Sequence, residues 1–299
     1  MAASKTSAVA DDPIDVLFVL HPKFDLLDFA GPCEVLATAQ HDPKDPMTKA
    51  FDVTLAGPEE KVMSDQGIMV ESQITYAEAH ENLKTYDVMI ILGGNTEAVL
   101  KESGQVAVKD GVEPFALIKA FARLQEEDPT RERTLMSICT GSLFLARAGI
   151  LAGLSCTTHP DHITKLEIIC SQATKMDMDE PPNVMEKERY VVNNLRFDLA
   201  AEGEEDPYVR RKSDSSRRPS AARKGSISFK SAGRRESIHR REEMRLGGLR
   251  VVTSGGVTAG IDAALYLVSA LVSNEIAEEV AKELDHEWVK GAVVDGVDV

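Results

Sequence analysis

Three short runs of this chain are apolar over most of their length: IDVLFVL (Ile14 to Leu20), YDVMIILGG (Tyr86 to Gly94) and TLMSIC (Thr134 to Cys139). A strand with water on one face alternates apolar and polar residues, whereas a strand apolar throughout needs cover on both faces. Each run is about strand length, too short for a buried helix of ordinary size. FDVTLAG (Phe51 to Gly57) reads as a further strand, as do Tyr190–Val192 and Leu249–Thr253. Residues 62–76 suggest a small hairpin. Helical spacing falls between these strands: Asp28 to Gln40, residues 114–127, Leu143 to Ala148, and one long helix from Thr258 to Leu284. Strands alternating with helices predict an α/β fold, with a largely parallel central sheet flanked by helices. In such sheets ligands bind beyond the carboxyl ends of the strands. Asp28, Gly93-Gly94 and Cys139 follow three strands and are therefore the positions to weigh.

One stretch departs from the pattern. From Leu195 to Gly248 the chain is rich in Ser and Arg and has almost no periodic apolar residues. This composition predicts a disordered insertion at 195–248 within a single domain spanning 13–288, with a leader at 1–12 and a tail at 289–299. Residues 207–241 carry 12 Lys and Arg against 2 Asp and Glu, a net of +10. The whole chain has a formal charge of −15, so −25 is left on the remainder. An acidic body is a poor partner for nucleic acid or an anionic membrane. No apolar run reaches the ~18 residues of a membrane span, and the N-terminal MAASKTSAVADDP has no signal-peptide core. Four cysteines with no Cys-x-x-Cys pair fit a reducing compartment, the cytoplasm, better than a disulfide framework.

The insertion has a motif of its own. Ser213, Ser220, Ser226 and Ser237 each follow basic residues (RRKS, RRPS, RKGS, RRES). They resemble substrates of a basophilic protein kinase and are candidate phosphorylation sites; the alternative is a drifting low-complexity insert.

The strongest chemical signal is SICTGSLFLARAG, Ser137 to Gly149. Here a strand runs straight into a helix, with Cys139 at the junction. Such an elbow lifts the junction side chain above the sheet. The helix N-terminus should favour a thiolate there and lower its pKa. Thr140 adds a hydroxyl and an amide beside the sulfur. The alternative to a reactive Cys139 is a small buried hydrophobe, which is also the reading for Cys33, Cys156 and Cys170. Gly93 and Gly94 offer either oxyanion-binding amides or simply a tight turn. Asp28 reads as a helix N-cap or as a general acid/base facing the Cys139 edge. Asp25 reads as a turn residue. His159, in SCTTHPDHI, either orients the thiol or is a hydrogen-bonded structural histidine; with His162 it lacks the further ligands that a metal site needs. TSGGVTAGID (Thr253 to Asp262) matches no phosphate-binding fingerprint and reads as tight packing along one wall of the site.

Taken jointly, LDFAGPCEV, ILGG, SICTGSLFLARAGILAG, TTHP and TSGGVTAGID resemble the ThiJ/PfpI superfamily, whose fold is class I glutamine amidotransferase-like. The likeness runs from Ile14 to His286 without the insertion. It is closest to isonitrile hydratases and to the amidase-like domain of some AraC-type regulators. No AraC-type helix-turn-helix follows the last helix, so a transcription factor is not expected. The resemblance implies a flavodoxin-like sandwich and a homodimer acting on a small-molecule substrate, with no organic cofactor or metal. It assigns Cys139 as nucleophile, Asp28 as acid/base and Thr140 as a hydroxyl beside the thiolate. Gly93, Gly94 and His159 line the oxyanion and substrate site. The implied activity is hydration of an isonitrile to an N-substituted formamide. Two alternatives use the same cysteine: a glyoxalase- or deglycase-like enzyme on reactive carbonyls, and a redox sensor. Many glyoxalase-like members place Glu where this chain has Asp28, which favours the hydratase.

Overall fold

The computed structural model describes residues 12–42, 45, 47–102, 111–177, 180–193, 209–210 and 245–294. The strands are β1 (Ile14–Val19), β2 (Phe51–Gly57), β3 (Lys61–Met63), β4 (Met69–Glu71), β5 (Ile74–Thr75), β6 (Val88–Ile91), β7 (Thr134–Ser137), β8 (Ser155–Cys156), β9 (Asn183–Val184), β10 (Tyr190–Asn193), β11 (Val209–Arg210), β12 (Arg250–Ser254) and β13 (Ala292–Val294). The helices are α1 (Leu26–Thr38), α2 (Tyr76–Glu81), α3 (Glu97–Glu102), α4 (Phe115–Glu127), α5 (Ser142–Arg147), α6 (Ile163–Asp177), α7 (Ala259–Leu271) and α8 (Asn274–Glu283).

The main sheet runs β11-β13-β10-β12-β7-β6-β1-β2-β5. Every pairing in it is parallel except β10 with β12. The expected α/β architecture is therefore present, and its physical reason is visible along the strands. Val16, Phe18 and Leu20 enter one core with Val35 and Leu36 of α1 and Leu265 of α7. Leu17 and Val19 enter the other, with Phe121 of α4, Leu143 of α5 and Leu166 of α6. Val88 and Ile90 likewise oppose Met89 and Ile91. Both faces are covered, so both alternating sets of side chains are apolar. The small hairpin also forms, as β3 and β4.

Three local expectations are corrected. The helix expected from Asp28 begins at Leu26, because Asp25 caps it: its carboxylate accepts from the amides of Leu27 at 3.0 Å and Asp28 at 3.3 Å. Asp25 is thus an N-cap, not merely a turn residue. The long helix expected over Thr258–Leu284 is broken at Val272. There Ser273 turns extended (φ −166°, ψ 159°), and its hydroxyl caps α8 by accepting from Ile276. Finally, residues 292–294, expected to lie in the tail, form a strand of the sheet. Ala292–Val294 pairs in parallel with Val191–Asn193, supplying the neighbour that β10 would otherwise lack. The basic insertion falls almost wholly outside the described residues, and with it Ser213, Ser220, Ser226 and Ser237.

The C-terminal strap is held by one buried carboxylate. Asp262, fully buried in the first turn of α7, accepts from Arg189 Nε at 2.6 Å, His286 Nε2 at 2.9 Å and the Val289 amide at 3.0 Å. The Trp288 indole N–H donates to the Asp262 carbonyl at 3.1 Å. A buried carboxylate is tolerated only with such partners; because Arg189 and His286 are partly exposed, losing the carboxylate strands no fully buried charge and costs about 1.5–3 kcal/mol in charge-assisted hydrogen bonds. Asp262→Ala is expected to lower the stability read from urea unfolding by about that amount; a loss below about 0.5 kcal/mol would discount the clasp.

Candidate active site

β1, β6 and β7 end side by side, and the site lies on that edge. β7 passes into a single 3-10 turn, Cys139–Gly141, and then α5. Cys139 sits at φ +54°. That is the left-handed region, where a side chain other than glycine is held only by its surroundings. The elbow supplies the restraint. The Ile138 amide donates to Ile91 O at 3.0 Å, and the Gly141 amide to Ile138 O at 2.8 Å. The hydroxyls of Ser142 and Thr158 both donate to Cys139 O, at 3.1 and 3.0 Å. Neither hydroxyl stood out in the sequence, although both lie within the TGS and TTHP motifs.

Asp28 is fully buried on the first turn of α1. Because Asp25 does the capping, the Asp28 carboxyl is left for the site. Its Oδ2 accepts from the Gly93 amide at 3.1 Å. Its Oδ1 is buried and has no hydrogen-bond partner among the described residues. Burial is the main cause that pushes the carboxyl up to about 8; the charge of Asp25 adds to it, and the Gly93 amide opposes it. At neutral pH Asp28 is therefore a neutral acid with a proton to give.

Cys139 is 5% exposed, and burial pushes its thiol up to about 12. The negative charge of Asp28 acts in the same sense, while the Thr140 amide acts against it. This corrects the expectation of a thiolate favoured by the helix. The helix is six residues long, and a helix terminus contributes only about 0.3–1 kcal/mol. Desolvation of an enclosed sulfur is larger. Thiol and carboxyl, whose charges act on one another, thus both keep their protons at neutral pH.

The turn after β6 binds these groups together. The Gly94 amide donates to Thr140 Oγ1 at 2.9 Å, and the Thr140 hydroxyl donates to Gly94 O at 2.9 Å. The amides expected to be free for an oxyanion are therefore engaged by Asp28 and Thr140. Gly94 takes φ +116°, and a Cβ on it would lie 2.4 Å from Lys23 O. At Gly93 a Cβ would lie 2.7 Å from Asp28 Oδ2 and from the Thr140 amide nitrogen. No side chain fits there without displacing the acid or the elbow. Gly93→Ala is expected to cost about 1–3 kcal/mol by overpacking and to lower turnover at least about tenfold through misplacement. Urea unfolding and steady-state rates check this; wild-type values in both would contradict the packing described.

His159 lies one residue beyond Thr158, against Gly256, whose Cβ would stand 3.3 Å from the ring. Its Nδ1 accepts from the Asp161 amide at 3.2 Å, and its ring packs edge-on to His162 at 5.7 Å. That nitrogen caps a turn and does not orient the thiol. Cys33 lies within α1, and Cys156 and Cys170 are buried in the core. Among the described residues, no three His, Cys, Asp or Glu side chains form a metal-binding group, and no helix is long and apolar enough to cross a membrane.

Comparison with solved structures agrees with this architecture. Drosophila melanogaster DJ-1beta superposes with a TM-score of 0.55 at 16% identity, covering 93% of this chain and 100% of its own. Schizosaccharomyces pombe DJ-1 gives 0.53 at 14%, covering 92% and 100%. An AraC family transcriptional regulator from Pseudomonas putida gives 0.52 at 16%, covering 91% and 100%. At such identities the likeness establishes the fold. No curated protein sequence matches closely enough to carry the assignment further. The model of the DJ-1/PfpI family matches residues 14–194, well over half of the chain and including Asp28, the Gly93-Gly94 turn and the Cys139 elbow; the chain belongs to that family.

Proposed function

We propose that this chain is an isonitrile hydratase-like enzyme, adding water to an isonitrile to give an N-substituted formamide. The observation that carries the reading is the buried carboxyl of Asp28, pushed up to about 8, with one oxygen that has no partner among the described residues, and close enough to Cys139 for its charge to act on the thiol. The terminal carbon of an isonitrile accepts a nucleophile and, in the same event, needs a proton. Cys139 forms the S–C bond. Asp28 gives its proton to that carbon and takes the proton of the thiol, leaving a thioimidate and a carboxyl again neutral. No standing thiolate is needed, which suits a thiol held near 12. Water then adds to the thioimidate carbon, and its proton passes to the nitrogen. Cleavage of the C–S bond returns a proton to sulfur and releases the formamide. The homodimer belongs to the same reading.

The high thiol pKa weighs against the redox-sensor alternative, because the thiolate is the form that peroxide oxidises. A panel of alkyl and aryl isonitriles beside methylglyoxal tests the assignment. Formamide from isonitriles is the expected result. Turnover of methylglyoxal alone would replace the hydratase with a carbonyl-directed enzyme.

The pH dependence has a definite sign. Asp28 acts as an acid only when protonated, so kcat/KM is expected to fall as pH rises through about 8. A rate that instead climbs through pH 8 would mean that a thiolate, not the neutral pair, is the active form.

A further inference from the structure

Beneath the Gly93-Gly94 turn lies a buried imidazole that the mechanism above does not use. His21 follows β1 and is 1% exposed. Its Nε2 faces Leu92 O at 3.2 Å and Gly93 O at 3.1 Å; its Nδ1 faces Pro22 O at 3.0 Å. The Phe144 ring closes one side, edge-on at 5.1 Å. Carbonyl oxygens only accept, so every contact of the ring asks it to donate. Burial lowers the pKa of the imidazole and keeps it neutral, with a single N–H. Two acceptors stand at Nε2 and one at Nδ1, so the proton belongs on Nε2, shared between Leu92 O and Gly93 O.

These two carbonyls are the other ends of the two amides that build the site. In a trans peptide the C=O and the N–H point in opposite directions. Holding Leu92 O toward His21 turns the Gly93 amide toward Asp28 Oδ2 at 3.1 Å. Holding Gly93 O toward His21 turns the Gly94 amide toward Thr140 Oγ1 at 2.9 Å. The Asp25 amide assists on one carbonyl only, donating to Gly93 O at 2.9 Å. We infer that His21 is a positioning residue: its Nε2–H clamps the carbonyls of Leu92 and Gly93 and thereby aims the two amides that hold Asp28 and Thr140 beside Cys139. The inference deepens the reading of Asp28 as the acid–base group and rests on it.

The test uses the full chain and two variants that differ in where they place an amide donor. The side-chain nitrogen of glutamine reaches the place of Nε2; that of asparagine reaches only the place of Nδ1, toward Pro22. Alkylation of Cys139 by iodoacetamide, followed by mass spectrometry across pH 6 to 10, reads the site without any isonitrile. The profile should bend near pH 8, where Asp28 ionises and its charge disfavours the thiolate. In His21→Asn the Gly93 amide is no longer aimed at the carboxylate, so the bend is expected to move up by about half a unit or more. In His21→Gln it should stay within about 0.2 units of wild type. A loss confined to folding would lower the melting temperature without moving the bend. Equal behaviour of the two variants, including equal loss of fold, would overturn the assignment. Absence of isonitrile turnover in the wild type would remove the hydratase reading but leave this comparison intact.

Discussion

Replacing Cys139 with alanine is expected to abolish formamide production, with a fall of about 10⁴-fold or more, because no other group supplies the bond to carbon. The remaining cysteines do not substitute: Cys33 lies within α1, and Cys156 and Cys170 are enclosed in the core. The fold should survive, since alanine fills most of the space and the elbow is held by backbone bonds and by the Ser142 and Thr158 hydroxyls. Glycine at the same position should separate function from strain. A non-glycine residue at φ +54° costs about 1–2 kcal/mol. Cys139→Gly is therefore expected to be inactive yet more stable than Cys139→Ala, by about 1 kcal/mol in urea unfolding. An alanine variant with near wild-type turnover would remove the nucleophile assignment, and a glycine variant less stable than alanine would remove the strain.

The second large effect is at Asp28. Asparagine keeps the shape and can still accept from the Gly93 amide, but it can neither give nor take a proton. Turnover is expected to fall by about 10²–10⁴-fold. Stability should move the other way. The carboxyl has a folded value of about 8 against 3.8 for an unperturbed aspartate. A raised value means that the folded state holds a proton which the unfolded chain has released. That contribution to stability is complete below about pH 4 and is lost steadily as pH rises, until about pH 8. Asparagine carries no such penalty. Asp28→Asn should thus gain on the wild type between pH 5 and pH 8.5, by an amount on the order of a few kcal/mol. Urea unfolding at those two values measures the gain. A difference that is flat with pH would mean that Asp28 is ionised in the folded protein.

These effects indicate which parts of the molecule the chain announces locally. The covered sheet was legible because strands buried on both faces must be apolar throughout, as Val16 to Leu20 and Val88 to Ile91 are. The elbow was legible because an apolar strand running without a gap into SLFLAR leaves only Cys139, Thr140 and Gly141 at the junction. What was not legible depends on distance. Asp28 reads equally well as a cap until Asp25 is seen capping the helix, which frees the carboxyl. The direction of the Cys139 shift depends on burial in the folded core and on the charge of Asp28, more than a hundred residues away in sequence. His21 looks like a residue entering a turn before Pro22, and the two carbonyls at its Nε2 lie more than seventy residues away. The clasp of Arg189, Asp262 and His286 likewise joins segments that are remote in sequence, the Arg189–Asp262 bond spanning 73 residues. The break at Val272 was present in sequence as Ser273, but the apolar periodicity on either side outweighed it.

The central claim is that Cys139, served by a neutral Asp28, adds the elements of water to an isonitrile carbon. Its most direct test is turnover of an aryl isonitrile in ¹⁸O-enriched water at pH 7, with mass analysis of the product and with Cys139→Ala in parallel. The predicted result is N-aryl formamide carrying the heavy oxygen from the wild type and none from the variant. Absence of formamide from the wild type, or its formation by Cys139→Ala at an equal rate, would contradict the account.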